Sequence, residues 1–122
     1  MNNIVFDFRL NYTRGDRLPA MEVVYQYDTG RTIEACVPEN EEEFVLHVGF
    51  EEDATLTVVN VDDVEEDTEE GGYMVTATMP DEILERSGNL LVYVVAVDTG
   101  VTVTTYEGSV EVRRKAPAEE GE

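Results

Sequence analysis

Eight consecutive apolar residues, Leu90 to Val97 (LLVYVVAV), constrain the fold more than any other stretch of this chain. The run falls far short of the about 20 residues an apolar helix needs to cross a bilayer. Gly88 precedes it, and Asp98-Thr99-Gly100 makes a turn signal after it. Read as a strand, it is apolar on both faces, with Leu91, Tyr93, Val95 and Val97 on one and Leu90, Val92, Val94 and Ala96 on the other. A strand at the surface of a sandwich needs only one apolar face. This one reads as central, covered by an opposing sheet on one side and by a helix, a loop or a partner on the other.

The rest of the chain alternates apolar and polar residues with period two, the pattern of half-buried strands. Ile4, Phe6, Phe8 and Leu10 share a face of an opening strand, which Thr13-Arg14-Gly15-Asp16-Arg17-Leu18-Pro19 breaks. Strands are expected over 21–27 and 32–37, joined as a hairpin through Asp28-Thr29-Gly30-Arg31, and again over 44–50 and 55–61. The acidic run from Asp62 to Gly72 reads as a loop, and 73–79 as a strand. Pro80, the acids Asp81 and Glu82, and Gly88 bracket a short helix or turn near 81–87. Two last strands, 101–106 and 109–113, follow. The expectation is an all-β chain: an antiparallel immunoglobulin-like β-sandwich of about eight strands. It spans 1–115, with 116–122 as a flexible acidic tail or linker.

Composition bounds function more tightly than it names it. A chain of 122 residues suits one domain. Its 28 acidic and 8 basic residues give a net charge of −20, about one net negative charge per 330 Å² of a surface this size. Nucleic-acid binding rests on Lys and Arg neutralising phosphates, so it is disfavoured, and anionic membrane surfaces with it. The charge fits solubility at high copy number, and equally a salt-rich setting. The opening residues show no basic start and apolar block of a secretory leader, so the chain reads as one made in the cytoplasm.

No cluster spells out a chemistry. His47 is the only histidine and Cys36 the only cysteine, too few for an imidazole or thiolate zinc site. Cys36 sits in TIEACV and reads as a small buried hydrophobe. Ser87 and Ser109 lie outside any nucleophile-elbow pattern. The acids at 62–67 lack the spacing and glycine of a calcium loop, so self-repelling solvated loop is the reading preferred over weak cation association. No enzyme, no cofactor and no dedicated metal site is expected. Arg113-Arg114-Lys115 gathers three of the eight basic residues and includes the only lysine. It is either a charged strand end that pairs with local acids or a docking exit for an acidic partner or a further copy.

GGYMVTATMP, then P-x-x-I-L-x-x-x-G, L-x-V-Y-V-V-x-V and V-x-V-R-R-K-A-P, over Gly72 to Pro117, resembles a class of small phage modules. These are the immunoglobulin-like N-terminal modules of Firmicutes phage and prophage structural proteins, related to baseplate upper proteins and to tail or head-fibre adaptors. The resemblance implies a noncatalytic virion attachment module, made in the host cytoplasm, whose partners are other phage structural proteins or further copies of itself. It carries over Tyr73, Pro80, Ile83, Leu84, Gly88, Val92, Tyr93 and Val112 as scaffold, and Arg113 to Pro117 as the junction to a neighbour. The rival expectation is a bacterial immunoglobulin-like module that binds a carbohydrate or a surface protein. It would stack sugars on exposed aromatics such as Tyr12, Tyr27 and Tyr106.

Overall fold

The computed structural model describes residues 3–9, 12–13, 15–38, 43–53, 55–97 and 103–115. They form a β-sandwich of two mixed sheets. The elements in chain order are β1 (Asn3–Asp7), β2 (Arg17–Pro19), β3 (Val24–Tyr25), β4 (Thr32–Val37), β5 (Glu43–Phe50), β6 (Thr57–Val59), β7 (Val61–Glu66), β8 (Tyr73–Thr78), a 3-10 turn (Asp81–Glu85), β9 (Gly88–Val97) and β10 (Val103–Arg113). The first sheet runs β1-β4-β8-β7. The second runs β2-β10-β9-β5-β6, with β3 also paired to β10.

Alternation sets what is buried. Ile4, Phe6, Ile33, Ala35, Val37, Val75 and Ala77 project from the first sheet into the interior. Leu46, Val48, Phe50, Leu90, Val92, Val94, Val110 and Val112 meet them from the second. β9 is central, between β5 and β10, as its two apolar faces demand. Leu84 in the 3-10 turn is fully buried and closes one end of the core.

The sheets are not purely antiparallel, and the described strands number ten rather than about eight. β1 runs parallel to β4, and β2 and β3 run parallel to β10. Parallel neighbours need a crossover between them, and the chain makes one. After β1 it leaves the first sheet, lines the second as β2 and β3, then returns as β4. The expected hairpin at Asp28–Arg31 is therefore a crossing between sheets, with Gly30 at φ +69° in the bend. Little of 21–27 pairs beyond Val24 and Tyr25, whereas Arg17–Pro19, read as a break, is paired.

Two further boundaries differ. The acidic run opens as strand β7 rather than as a loop, at the outer edge of its sheet, where charged side chains face water and deter pairing with other chains. β10 is continuous through Gly108, read as a gap between two strands. A β-carbon at Gly108 would lie 2.6 Å from the Phe6 ring, so glycine lets the two sheets approach. Leu10, the turn at 98–100 and the tail 116–122 lie outside the described residues.

Candidate functional site

The described arginines show where positive charge is spent. Arg9 pairs with Asp7 at 2.9 Å and Asp67 at 2.7 Å. Arg17 pairs with Glu107 at 2.7 Å and Glu51 at 3.2 Å, and Arg31 with Asp28 at 3.0 Å. Arg86 reaches Asp53 and Glu52 and lies over the Phe50 ring. Arg113 approaches Glu111 only at 3.8 Å, the outer limit of a pair. The side chains of Arg114 and Lys115 carry no ion pair among the described residues, and both are exposed. On a surface this acidic, that two cations meet no carboxylate among the described residues is a feature of place rather than of supply.

That place is built by three elements. The end of β10 pairs with β3, so that Tyr25 is the register partner of Arg113. Gln26 then extends the pairing: its N–H donates to the Arg113 carbonyl at 2.7 Å, and its side-chain oxygen accepts from the Lys115 N–H at 3.4 Å. The Gln26 side-chain nitrogen donates to the Glu85 carbonyl, tying the exit to the 3-10 turn. Tyr25 and Tyr27 flank Gln26 and are 46% and 55% exposed. Tyr27 is the one non-glycine residue at positive φ (+71°) among the described residues, a geometry that costs about 1–3 kcal/mol. Beside the exit, Ser87, Gly88, Asn89, Glu111, Val112, Arg113 and Arg114 line a shallow groove of about 540 Å³.

Of the residues expected as scaffold, Leu84, Val92 and Val112 are buried, and Ile83 and Tyr73 are partly buried against the core. Pro80 precedes the 3-10 turn. Gly88 adopts φ +141° against the Phe50 ring. Tyr93 points the opposite way, to the outer face of the second sheet, in register with His47 and Glu107.

Residues that could carry chemistry stay apart. Among the described residues no side-chain hydrogen bond or ion pair reaches His47, whose register neighbours are Val58 and Tyr93. Ser109, on β10, lies a strand away from it across β9. Cys36 is buried. Beside Glu34 of its own strand, the fold brings Arg9 near this thiol, which favours a thiolate. Burial outweighs Arg9 and pushes the thiol above its ordinary value. Among the described residues no group of three His, Cys, Asp or Glu could hold a metal ion, and no helix is long and apolar enough to cross a membrane.

The stacking candidates do not form one surface. Tyr12 and Tyr106 pack with Phe8, with ring centroids 4.8 Å and 5.3 Å from it, and Tyr106 is buried. Tyr27 stands apart beside the exit. Sequence reading missed Tyr25 and Gln26 as neighbours of the basic residues. Only the parallel pairing of β3 with β10 brings them there. No family model matches the chain, and no curated protein matches its sequence.

Proposed function

We propose that this chain is a noncatalytic structural module of a phage particle, an attachment piece of baseplate, tail or head fibre that acts by protein–protein assembly. Arg113, Arg114 and Lys115 are its docking exit. The observation that carries the reading is the pair of cations with no carboxylate partner among the described residues, set beside two exposed tyrosines at the end of the last strand. The resemblance over Gly72 to Pro117 supplies the phage context.

The strand order supports the immunoglobulin-like part of the reading. β4-β8-β7 takes the order of strands B, E and D of that fold, and β10-β9-β5-β6 that of G, F, C and C′. β2 and β3 lie along the last strand, and β1 stands in the place of strand A beside β4 but runs parallel to it. The dispersed tyrosines count against a carbohydrate-stacking surface.

The genes that flank this one test the class. Neighbours encoding tail, baseplate or capsid proteins are expected. A bacterial transport or cell-wall operon would overturn the phage assignment.

A further inference from the structure

The sheet edges are guarded unequally. A strand at an edge shows unpaired N–H and C=O groups on which another strand can build. β7 closes one side of the first sheet with Asp62, Asp63, Glu65 and Glu66, and its register with β8 shifts between Val61 and Asp63. In the second sheet, β6 has three residues. The far edge of that sheet is divided between β2, which ends in Pro19, and the two residues of β3. β1, at the remaining edge, has five residues in unbroken register, with neither proline nor lysine among them.

The direction of each backbone group on β1 follows from two hydrogen bonds. Just past the strand, the Phe8 N–H donates to the Cys36 carbonyl of β4. Successive residues of a strand point their N–H and C=O groups to opposite sides, so Ile4 and Phe6 face β4, and Val5 and Asp7 face away. Val5 fits: its N–H donates to Oε1 of Glu22 at 3.2 Å. Among the described residues nothing meets the Val5 carbonyl or the backbone N–H and C=O of Asp7. One side-chain oxygen thus guards this edge. Beside it opens a cleft of about 370 Å³, lined by Val5, Asp7, Leu18, Pro19, Met21 and Glu22. Its walls are mainly apolar, and Met21 is 90% exposed.

We propose that β1 receives an extended segment of a partner protein as an added strand, and that a lysine or arginine of that segment draws the Glu22 carboxylate away from Val5. A backbone carbonyl of the partner replaces Glu22 on the Val5 N–H, and the partner's own N–H groups meet the bare carbonyls of Val5 and Asp7. An apolar side chain of the segment enters the cleft against Leu18 and Met21. Charge selects the sign of the occupant. Both oxygens of Asp7 are already held by Arg9, at 2.9 Å each. Glu22 has no cation among the described residues. Once displaced from its N–H beside apolar walls, its charge needs a partner. A second copy does not meet that condition, because β1 laid on β1 sets Glu22 against Glu22 and brings a further net charge of −20.

Two kinds of contact divide the work. Backbone hydrogen bonds, with the added strand about 4.8 Å from β1, supply affinity for any extended chain. The cleft and Glu22 supply the choice of side chain. Five residues make a short ladder, so the contact is weak on its own and gains strength inside an assembly. The partner segment is opposite in sign to the acidic one that suits Arg113 to Lys115, and this inference does not rest on the docking role of those residues.

The probe is the peptide acetyl-Thr-Lys-Val-Thr-Val-Lys-Thr-amide. Its control is the same peptide N-methylated at both valines and the threonine between them, which keeps the charge and cannot pair. NMR shift titration and amide hydrogen exchange at about 0.15 M NaCl read the contact. The expected shifts fall on β1 and the Met21–Glu22 stretch, and the Asp7 amide gains protection from exchange. The control binds at least about tenfold more weakly, the equivalent of one or two lost hydrogen bonds. Val5→Pro removes the outward N–H without touching a bond to β4, so the chain folds, as a thermal melt checks, and no longer takes the probe. Glu22→Gln weakens the probe about threefold, the size of a partly exposed ion pair, whereas Glu65→Gln on the opposite edge leaves it unchanged. A control that binds as tightly as the probe, or shifts that fall on β7 instead of β1, would mean attraction by charge alone and overturn the proposal. An Asp7 amide that gains no protection at millimolar probe overturns it too.

Discussion

Gly108 on the second sheet faces Phe6 of the first, with the Phe6 ring 2.6 Å from the point a β-carbon would occupy. Gly108→Ala is expected to destabilise the chain by about 1–3 kcal/mol, the range for overpacking a filled interior. Urea unfolding measures it, and adding Phe6→Leu should return part of the loss, because the smaller side chain vacates the contested space. Arg9 governs a second residue-scale effect. Its guanidinium, hydrogen-bonded to Asp7, holds that carboxyl below the usual carboxylate range. Asp67 is held down first by the Glu70 N–H and then by Arg9. A carboxyl depressed in the folded state stabilises fully above its unfolded value, near 3.9 for Asp, and that contribution fades as pH falls through the folded value. Asp67→Asn should therefore melt below the parent at pH 6. The gap should close on acidification below about pH 4, as followed by circular dichroism.

At the scale of elements, β10 ends in an exposed exit, where the side chains of Arg114 and Lys115 carry no ion pair among the described residues. Arg114→Glu with Lys115→Glu is expected to leave folding stability within about 0.5 kcal/mol of the parent, the usual size of a surface change. It should nevertheless abolish docking, and a thermal melt run beside an assembly assay separates the two effects. The strands themselves were largely legible in the sequence, because period-two alternation records burial directly: Phe44, Leu46, Val48 and Phe50 all point inward as read. The doubly apolar run became the central β9 for the same reason. Pairing direction was not legible. Nothing in Met21 to Val37 states that the chain changes sheets between Tyr25 and Thr32, since a bend with Gly30 serves a crossing as well as a hairpin. The acids of β7 hid a strand because at an open edge charge is compatible with extended backbone. The basic exit could be read from Arg113-Arg114-Lys115, but its aromatic neighbours could not, for they arrive by a parallel pairing across 88 positions of sequence from Tyr25 to Arg113.

The whole molecule is a small sandwich with a strongly negative surface, relieved in two regions of different character. One is the cationic, tyrosine-flanked end of β10, and the other is the stretch of the second sheet's outer face from Val45 to Gly49 and Leu91 to Val95, which carries no carboxylate. A net charge of −20 keeps copies apart in solution and leaves association to surfaces where that charge is reversed or absent. Lys115 is the only lysine, so a carbodiimide, which joins an amine to a carboxylate as an amide and takes up the water lost, can couple a side-chain amine of this chain nowhere else. The most direct measurement is carbodiimide cross-linking with mass spectrometry on assembled particles that contain this chain. The account predicts amide cross-links from Lys115 to an acidic segment of a neighbouring structural protein, and loss of incorporation for the Arg114→Glu, Lys115→Glu chain. Particles that take up the charge-reversed chain as readily as the parent, or a Lys115 that couples only to carboxylates of its own chain in the assembled state, would contradict it.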